Sequence, residues 1–199
     1  MKDAWNERYA AAEWIYGESP NEFLRTQLAT LPAGRLLLPA EGEGRNAVHA
    51  AREGWQVEAV DFSEEGRRKA LALADRHGVA HSITYTLGDL AHVEFAENRY
   101  DAVALIYAHL PEHVRMHVHA ACIRALRPGG TLIIEAFTPR QLGNTSGGPK
   151  SLDLLYTADL LARDAEGMII RQLEERDVEL DEGAFHRGTA SVVRLVAMR

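Results

Sequence analysis

Several protein classes are excluded by what this chain lacks. It has one cysteine, Cys122, so no disulfide can form within a single copy. That cysteine lies in an apolar helical run beside Ala121 and Ile123, where a buried structural thiol is expected rather than a nucleophile. No apolar run approaches the length needed to cross a bilayer, so no membrane partner is expected. The opening Met1-Lys2-Asp3-Ala4-Trp5-Asn6-Glu7-Arg8 is polar from the start, which predicts a cytoplasmic protein. Internal repeats and low-complexity tracts are missing. Basic residues are in deficit: 22 Lys and Arg against 29 Asp and Glu give a formal net charge of -7. Beyond Arg67-Arg68-Lys69 there is no basic block, so the long-range field repels nucleic acid and a small-molecule partner is the default expectation.

What is present is the profile of one ordinary globular domain, 199 residues long and 46% hydrophobic. It is organised around Arg35 to Ala47. Leu36 to Leu38 read as a buried strand, and Gly42 and Gly44 let the backbone turn sharply and approach a ligand. Asn46 to Glu53 then reads as a helix whose N-terminus offers free N–H groups. A second strand, Gln56 to Val60, delivers Asp61, an acid placed to accept from two adjacent ribose hydroxyls, as in a nucleoside-binding half-fold.

The pattern continues along the chain. Trp5 to Ala12 reads as a short helix, and Trp14 to Glu18 as an aromatic flap. Ser19-Pro20-Asn21-Glu22 predicts a helix capped by Ser19, with Pro20 in the first turn, running to about Leu31. Ser63 caps a helix that stops at Gly78, and Ile83 to Leu87 is a strand followed by Asp89, on the same sheet edge as Asp61. Tyr100 to Tyr107 reads as a central parallel strand and Pro111 to Leu126 as a helix. Arg127-Pro128-Gly129-Gly130 reads as a break before a strand from Thr131 to Ala136. After a helix over Thr157 to Asp164, Met168 to Leu180 and Ala190 to Met198 form an antiparallel hairpin. The stretch Gly143 to Pro149 reads as a long functional loop. His113 and His117 have metal-ligand spacing but no third ligand, so no metal is expected, while His77, His81 and His92 read as surface residues.

Four features together carry a family resemblance: Gly42-Glu43-Gly44-Arg45-Asn46, Val60-Asp61-Phe62-Ser63, Tyr100-Asp101 with Ala108-His109-Leu110-Pro111, and Leu126-Arg127-Pro128-Gly129-Gly130-Thr131-Leu132. The chain resembles the class I S-adenosylmethionine-dependent methyltransferases, and within them the small bacterial tellurite-resistance and thiopurine group. Trp5-Asn6-Glu7-Arg8-Tyr9 and Tyr16-Gly17-Glu18-Ser19-Pro20-Asn21 are similar to the aromatic lid of that group.

The resemblance implies an α/β, doubly wound, Rossmann-like fold, with a seven-stranded, mostly parallel sheet closed by an antiparallel C-terminal hairpin. Residues 1–199 would form a single domain, with 1–31 as an N-terminal helical lid, of which Trp5 to Tyr16 is expected to order on cofactor binding. S-adenosylmethionine would be the cofactor. Ala40, Glu41, Gly42, Gly44 and Asn46 would meet it from the loop, Asp61 and Phe62 at the ribose, and Asp89 and Leu90 at the adenine. The Tyr107 carbonyl would lie near the methionine amine, Arg8 would meet the methionine carboxylate, and Tyr9 and Tyr16 would cover the cofactor. Tyr107, His109, His186 and Glu182 would line the acceptor pocket, the last three being candidates for a general base. The chain departs from the family in carrying Leu38 where an acid is usual and Ala40-Glu41 where Gly-Cys or Gly-Ala is usual, which makes Glu41 the candidate for the lost contact.

Two other readings stand beside this one. Gly42 to Ala47 also satisfies the Gly-x-Gly-x-x-Ala pattern of nicotinamide-dependent oxidoreductases, although the chain has no Tyr-x-x-x-Lys pair. The altered loop also suits a non-catalytic S-adenosylmethionine-binding module. The Asn/Asp-Pro-Pro-Tyr signature of amide and exocyclic-amine substrates is absent after Ile106, which leaves a thiol, a chalcogen oxyanion or another small metabolite as acceptor.

Overall fold

The computed structural model describes residues 2–199, so residue 1 of the expected lid lies outside the described residues. The seven strands take the order β3-β2-β1-β4-β5-β7-β6 in one mixed sheet. The expected α/β architecture, mostly parallel and closed by an antiparallel hairpin, is therefore borne out. Two compact units divide the chain, one running to Val93 and including Glu182–Phe185, the other spanning Glu94–Asp181 and His186–Arg199.

The first unit holds α1 (Lys2–Tyr9), α2 (Glu22–Leu28), β1 (Arg35–Pro39), α3 (Arg45–Arg52), β2 (Gln56–Asp61), α4 (Glu64–Arg76) and β3 (Ile83–Leu87). Its three strands are parallel, with Leu37 opposite Glu58 and Ala59 opposite Tyr85. Leu36, Leu37 and Leu38 are all buried, as expected of a parallel strand covered on both faces. Ser63 caps α4 as expected, its hydroxyl accepting from the Gly66 amide at 3.0 Å.

The bounds of the two N-terminal helices differ from expectation. The first helix ends at Tyr9 rather than Ala12. The second is capped by Asn21, not Ser19, because the Asn21 side chain accepts from Leu24 N at 2.9 Å, and Pro20 consequently stays outside the helix. That helix closes at Leu28 rather than near Leu31.

The second unit holds β4 (Tyr100–Ile106), α5 (Glu112–Ala125), β5 (Leu126–Phe137), α6 (Ala158–Asp164), β6 (Ile169–Asp181) and β7 (Arg187–Met198). The expected break at Arg127 to Gly130 is instead absorbed into β5. Pairing jumps from Tyr100 opposite Leu126 to Ala102 opposite Thr131, a bulge in which Gly129 takes φ 80°. Those residues find backbone partners at the C-terminal end, since Gly129 N donates to Arg199 O and Arg199 N to Gly130 O. Strand β7 lies antiparallel between β5 and β6, with Ile134 opposite Leu195 and Leu173 also opposite Leu195.

Candidate active site

In the first unit the glycine loop is held by side chains rather than left as an open turn. Gly42 has φ 63°, and a Cβ there would lie 2.7 Å from the Tyr9 hydroxyl, so only glycine fits beneath that ring. Its N–H donates to Asp61 Oδ2 at 3.0 Å, and its carbonyl accepts from the Tyr85 hydroxyl at 2.5 Å. Gly44 serves packing instead: a Cβ there would come within 2.4 Å of the Ala70 Cβ on α4.

Asp61 is buried at the end of β2, and its second oxygen accepts from Ser63 N at 2.9 Å. Burial raises its pKa against the backbone N–H groups that lower it. A carboxylate offers about four acceptor positions, and the N–H groups of Ser63, Gly42 and Phe62 all act on it, so about one remains. Phe62 is half-buried beside it. Asp89, past the end of β3, is exposed and accepts from Ala91 N at 3.0 Å, and Leu90 next to it is buried.

The buried Glu41 carboxylate accepts from Ala47 N at 2.7 Å and so caps the N-terminus of α3, with Asn46 Nδ2 at 3.5 Å. Burial pushes it up to about 7, although those same bonds oppose the shift. Its carboxylate is thus directed into the loop's own helix. Asn46 Oδ1 meanwhile accepts from Asn21 N at 2.9 Å. Ala40 holds φ 58° without being glycine.

The aromatic N-terminus packs onto this loop. Trp5, Tyr9 and Tyr16 form one aromatic group, with Trp5 and Tyr9 centroids 5.3 Å apart. Tyr9 is buried, which raises its pKa well above normal, with Asp61 adding to the rise. Exposed Arg8 lies 4.6 Å over the Trp5 ring and donates to the Tyr16 hydroxyl at 3.0 Å.

The same unit contains two buried ion pairs that sequence patterns did not reveal. Lys69 Nζ and Glu43 Oε1 are 2.8 Å apart, each side chain 3% exposed. Arg45 and Glu182 are also 2.8 Å apart. The signal for Lys69 was available, because it sits one turn before Leu73 and next to Ala70, on the buried stripe of α4. For Glu43, between two glycines, no pattern existed. Glu182, expected as an acceptor-side base, is instead committed to Arg45 and to Asn21 Nδ2 at 3.1 Å.

In the second unit the structure brings Tyr107, His109 and His186 together around Phe137, which was not anticipated. Tyr107 stacks on Phe137 at 4.5 Å, His109 stacks on its ring at 5.5 Å, and His186 meets Tyr107 edge-on at 4.7 Å. Tyr107 takes φ 54° as the chain leaves β4.

His109 corrects an expectation. Its Nδ1 lies 2.5 Å from Leu154 O, so it carries the proton and donates, while Nε2 accepts from Phe137 N at 3.2 Å. Burial lowers its pKa to about 4, against the bond to Leu154, which raises it. With its lone pair already engaged, His109 in this conformation has no capacity to take a proton from an acceptor. It joins the end of β4 to Phe137 and Leu154.

Beside it, the Tyr156 hydroxyl donates to Ala108 O at 3.1 Å and accepts from Leu110 N at 2.8 Å, and Asp164 binds both Arg115 and His119 at 2.8 Å. Cys122 is buried as expected. Among the described residues no group of three His, Cys, Asp or Glu side chains is placed to hold a metal ion. No described helix is long and apolar enough to cross a membrane.

Comparison with known proteins gives a consistent class. Residues 39–130 match the family model described as Methyltransferase domain. A demethylmenaquinone methyltransferase of Thermobifida fusca (strain YX) is 32% identical over 109 residues, covering 53% of this chain and 45% of that protein. The chain thus spans about half the length of that curated relative. Among solved structures, the one reported as "Conversion of a Disulfide Bond into a Thioacetal Group during Echinomycin Biosynthesis" matches with a TM-score of 0.81 at 20% identity, covering 100% of this chain and 93% of that one. TehB from Haemophilus influenzae matches with a TM-score of 0.73 at 14% identity, covering 100% and 66%. At such identities the solved structures share the fold alone. Over residues 39–130 the family match agrees with the expected methyltransferase class.

Proposed function

We propose that this chain is an S-adenosylmethionine-dependent methyltransferase acting on a small-molecule acceptor, the whole chain working as one methyltransferase domain. The observation that carries the reading is the interlock of Gly42 with Asp61, a glycine pinned against a buried carboxylate that keeps acceptor capacity. The residues present fit the cofactor. Asp61 would receive the ribose hydroxyls, exposed Asp89 the adenine amino group, and Arg8 the methionine carboxylate. Tyr9 and Tyr16 would cover it.

When bound, S-adenosylmethionine supplies a methyl group already activated by its sulfonium. The protein's work is therefore to bind, orient and exclude water. Tyr107, Phe137 and His186 supply an aromatic wall for the acceptor. His109 positions that wall by fixing Phe137 through its amide. Where the acceptor arrives protonated, His186 is the remaining base candidate. The acceptor class we favour is a thiol, a chalcogen oxyanion or another small metabolite, in keeping with the resemblance to the tellurite-resistance and thiopurine group.

Calorimetry with S-adenosylmethionine, its demethylated product and a nicotinamide dinucleotide tests the cofactor. Preferential binding of the dinucleotide overturns the reading. A labelled-methyl screen across small thiols, oxyanions and amines then identifies the acceptor, and cofactor binding without any turnover would favour a non-catalytic binding module.

A further inference from the structure

The segment between α1 and α2 is irregular, and apart from a turn bond from Gly17 N to Trp14 O its backbone groups have no helix or strand ladder to supply partners. Side chains of the glycine loop supply them. Glu43 accepts from Ile15 N at 2.9 Å and Tyr16 N at 3.4 Å. Arg45 donates to Tyr16 O at 3.2 Å and Ser19 O at 3.5 Å. Lys69, paired with Glu43, donates to Glu13 O at 2.6 Å. Asn46 accepts from Asn21 N, at the far end of the segment.

The turn at Glu182 to Phe185 grips the same segment from the other side. Glu182 binds Arg45 and Asn21, and Phe185 meets the Tyr16 ring at 6.4 Å and the Arg8 guanidinium at 5.6 Å. Between these contacts Gly183 lies against lid backbone. A Cβ there would come within 2.5 Å of Gly17 N and 2.6 Å of Ile15 O, and its φ is 83°.

We propose that Glu43, Arg45 and Glu182, with Gly183 as the contact point, form a latch that shuts the aromatic lid over the glycine loop, making them positioning residues for the methyl donor. This inference rests on the proposed cofactor site. Two of the gripping residues, Glu43 and Arg45, adjoin Gly42 and Gly44, so ordering the loop and closing the lid are one event. Tyr9 and Tyr16 are then held in place only while the loop is in its binding geometry, and a ligand that orders the loop also closes the lid.

The test uses the full chain and two variants of unlike chemistry: Glu182→Ala removes the charge partner, and Gly183→Ala leaves every charge in place while obstructing lid docking. Thermal unfolding first establishes that each variant folds, and either one suffices if the other does not. Amide hydrogen exchange of the ligand-free proteins should show residues 13–19 losing protection in the variants while β1, β2 and α4 keep theirs. Calorimetry should show S-adenosylmethionine affinity lowered about 5- to 150-fold, the usual span of site coupling, with turnover at saturating donor largely retained. Unchanged protection at 13–19 overturns the latch. So does a loss of turnover at saturation with donor affinity intact, which would return Glu182 to the acceptor. If the parent protein binds no S-adenosylmethionine, the proposed function fails, while the exchange experiment still decides whether the latch exists.

Discussion

Replacing Glu41 by glutamine should change the way stability depends on pH. Glu41 caps α3 from a fully buried position, and burial raises its pKa from the ordinary 4.5 to about 7. Between these values the native protein binds a proton that the unfolded chain has released, so stability falls as pH rises through the window. A shift of this size corresponds to about 3 kcal/mol across the whole window, most of it between pH 5 and pH 8. In Glu41→Gln the new side chain retains an oxygen for Ala47 N and carries no charge, so the variant lacks this slope. Urea unfolding of both proteins at half-unit intervals from pH 5 to pH 8 isolates Glu41, because every other titrating group is common to the pair. The glutamine variant should gain about 2–3 kcal/mol relative to the parent over that range. A difference that stays constant with pH would mean that Glu41 is ionised throughout and that its burial is not felt electrostatically.

Three further outcomes are expected. Asp61→Ala should weaken S-adenosylmethionine binding by about 1.5–3 kcal/mol, about 10- to 150-fold by calorimetry, through loss of a charge-assisted contact. Asp101→Ala, which loses a pair with exposed Arg127 at the start of β4, should leave affinity near the parent value; equal losses would displace Asp61 from the site. Ala40→Gly should raise stability by about 0.5–1 kcal/mol in urea, since φ 58° strains alanine by more than the extra freedom of glycine in the unfolded chain costs, and a loss would show that the Ala40 methyl is needed for packing. His109→Ala should destabilise by about 2–4 kcal/mol, leaving the Phe137 amide and Leu154 carbonyl without their partner, and a stable variant with abolished turnover would restore His109 as a base.

The sequence alone determined the elements whose causes are local. Leucines 36 to 38 form a strand because a parallel strand buried on both faces needs an unbroken apolar run. Ser63 and Thr157 start helices because a side-chain oxygen two or three residues before a free amide can accept from it. The glycine loop followed at strand spacing by Asp61, and the two β-rich segments at the end, were legible for the same reason. Bulges and caps were less so: β5 runs through a proline-glycine stretch because the C-terminal residues offer it backbone partners, and Asn21 displaces Ser19 as cap by geometry that composition does not encode.

The charges around the loop could be decided only by tertiary structure. Glu43 and Lys69 are 26 positions apart, and Arg45 and Glu182 are 137 apart; no period links the partners, so neither pairing could be read along the chain. His109 was visible as a candidate, but whether its lone pair is free depends on Phe137 and Leu154, two backbone groups brought to it from distant segments. Patterns along a chain report which face a residue occupies. What an ionisable group does depends on the few atoms within hydrogen-bond reach, and those are fixed only when the chain closes around it.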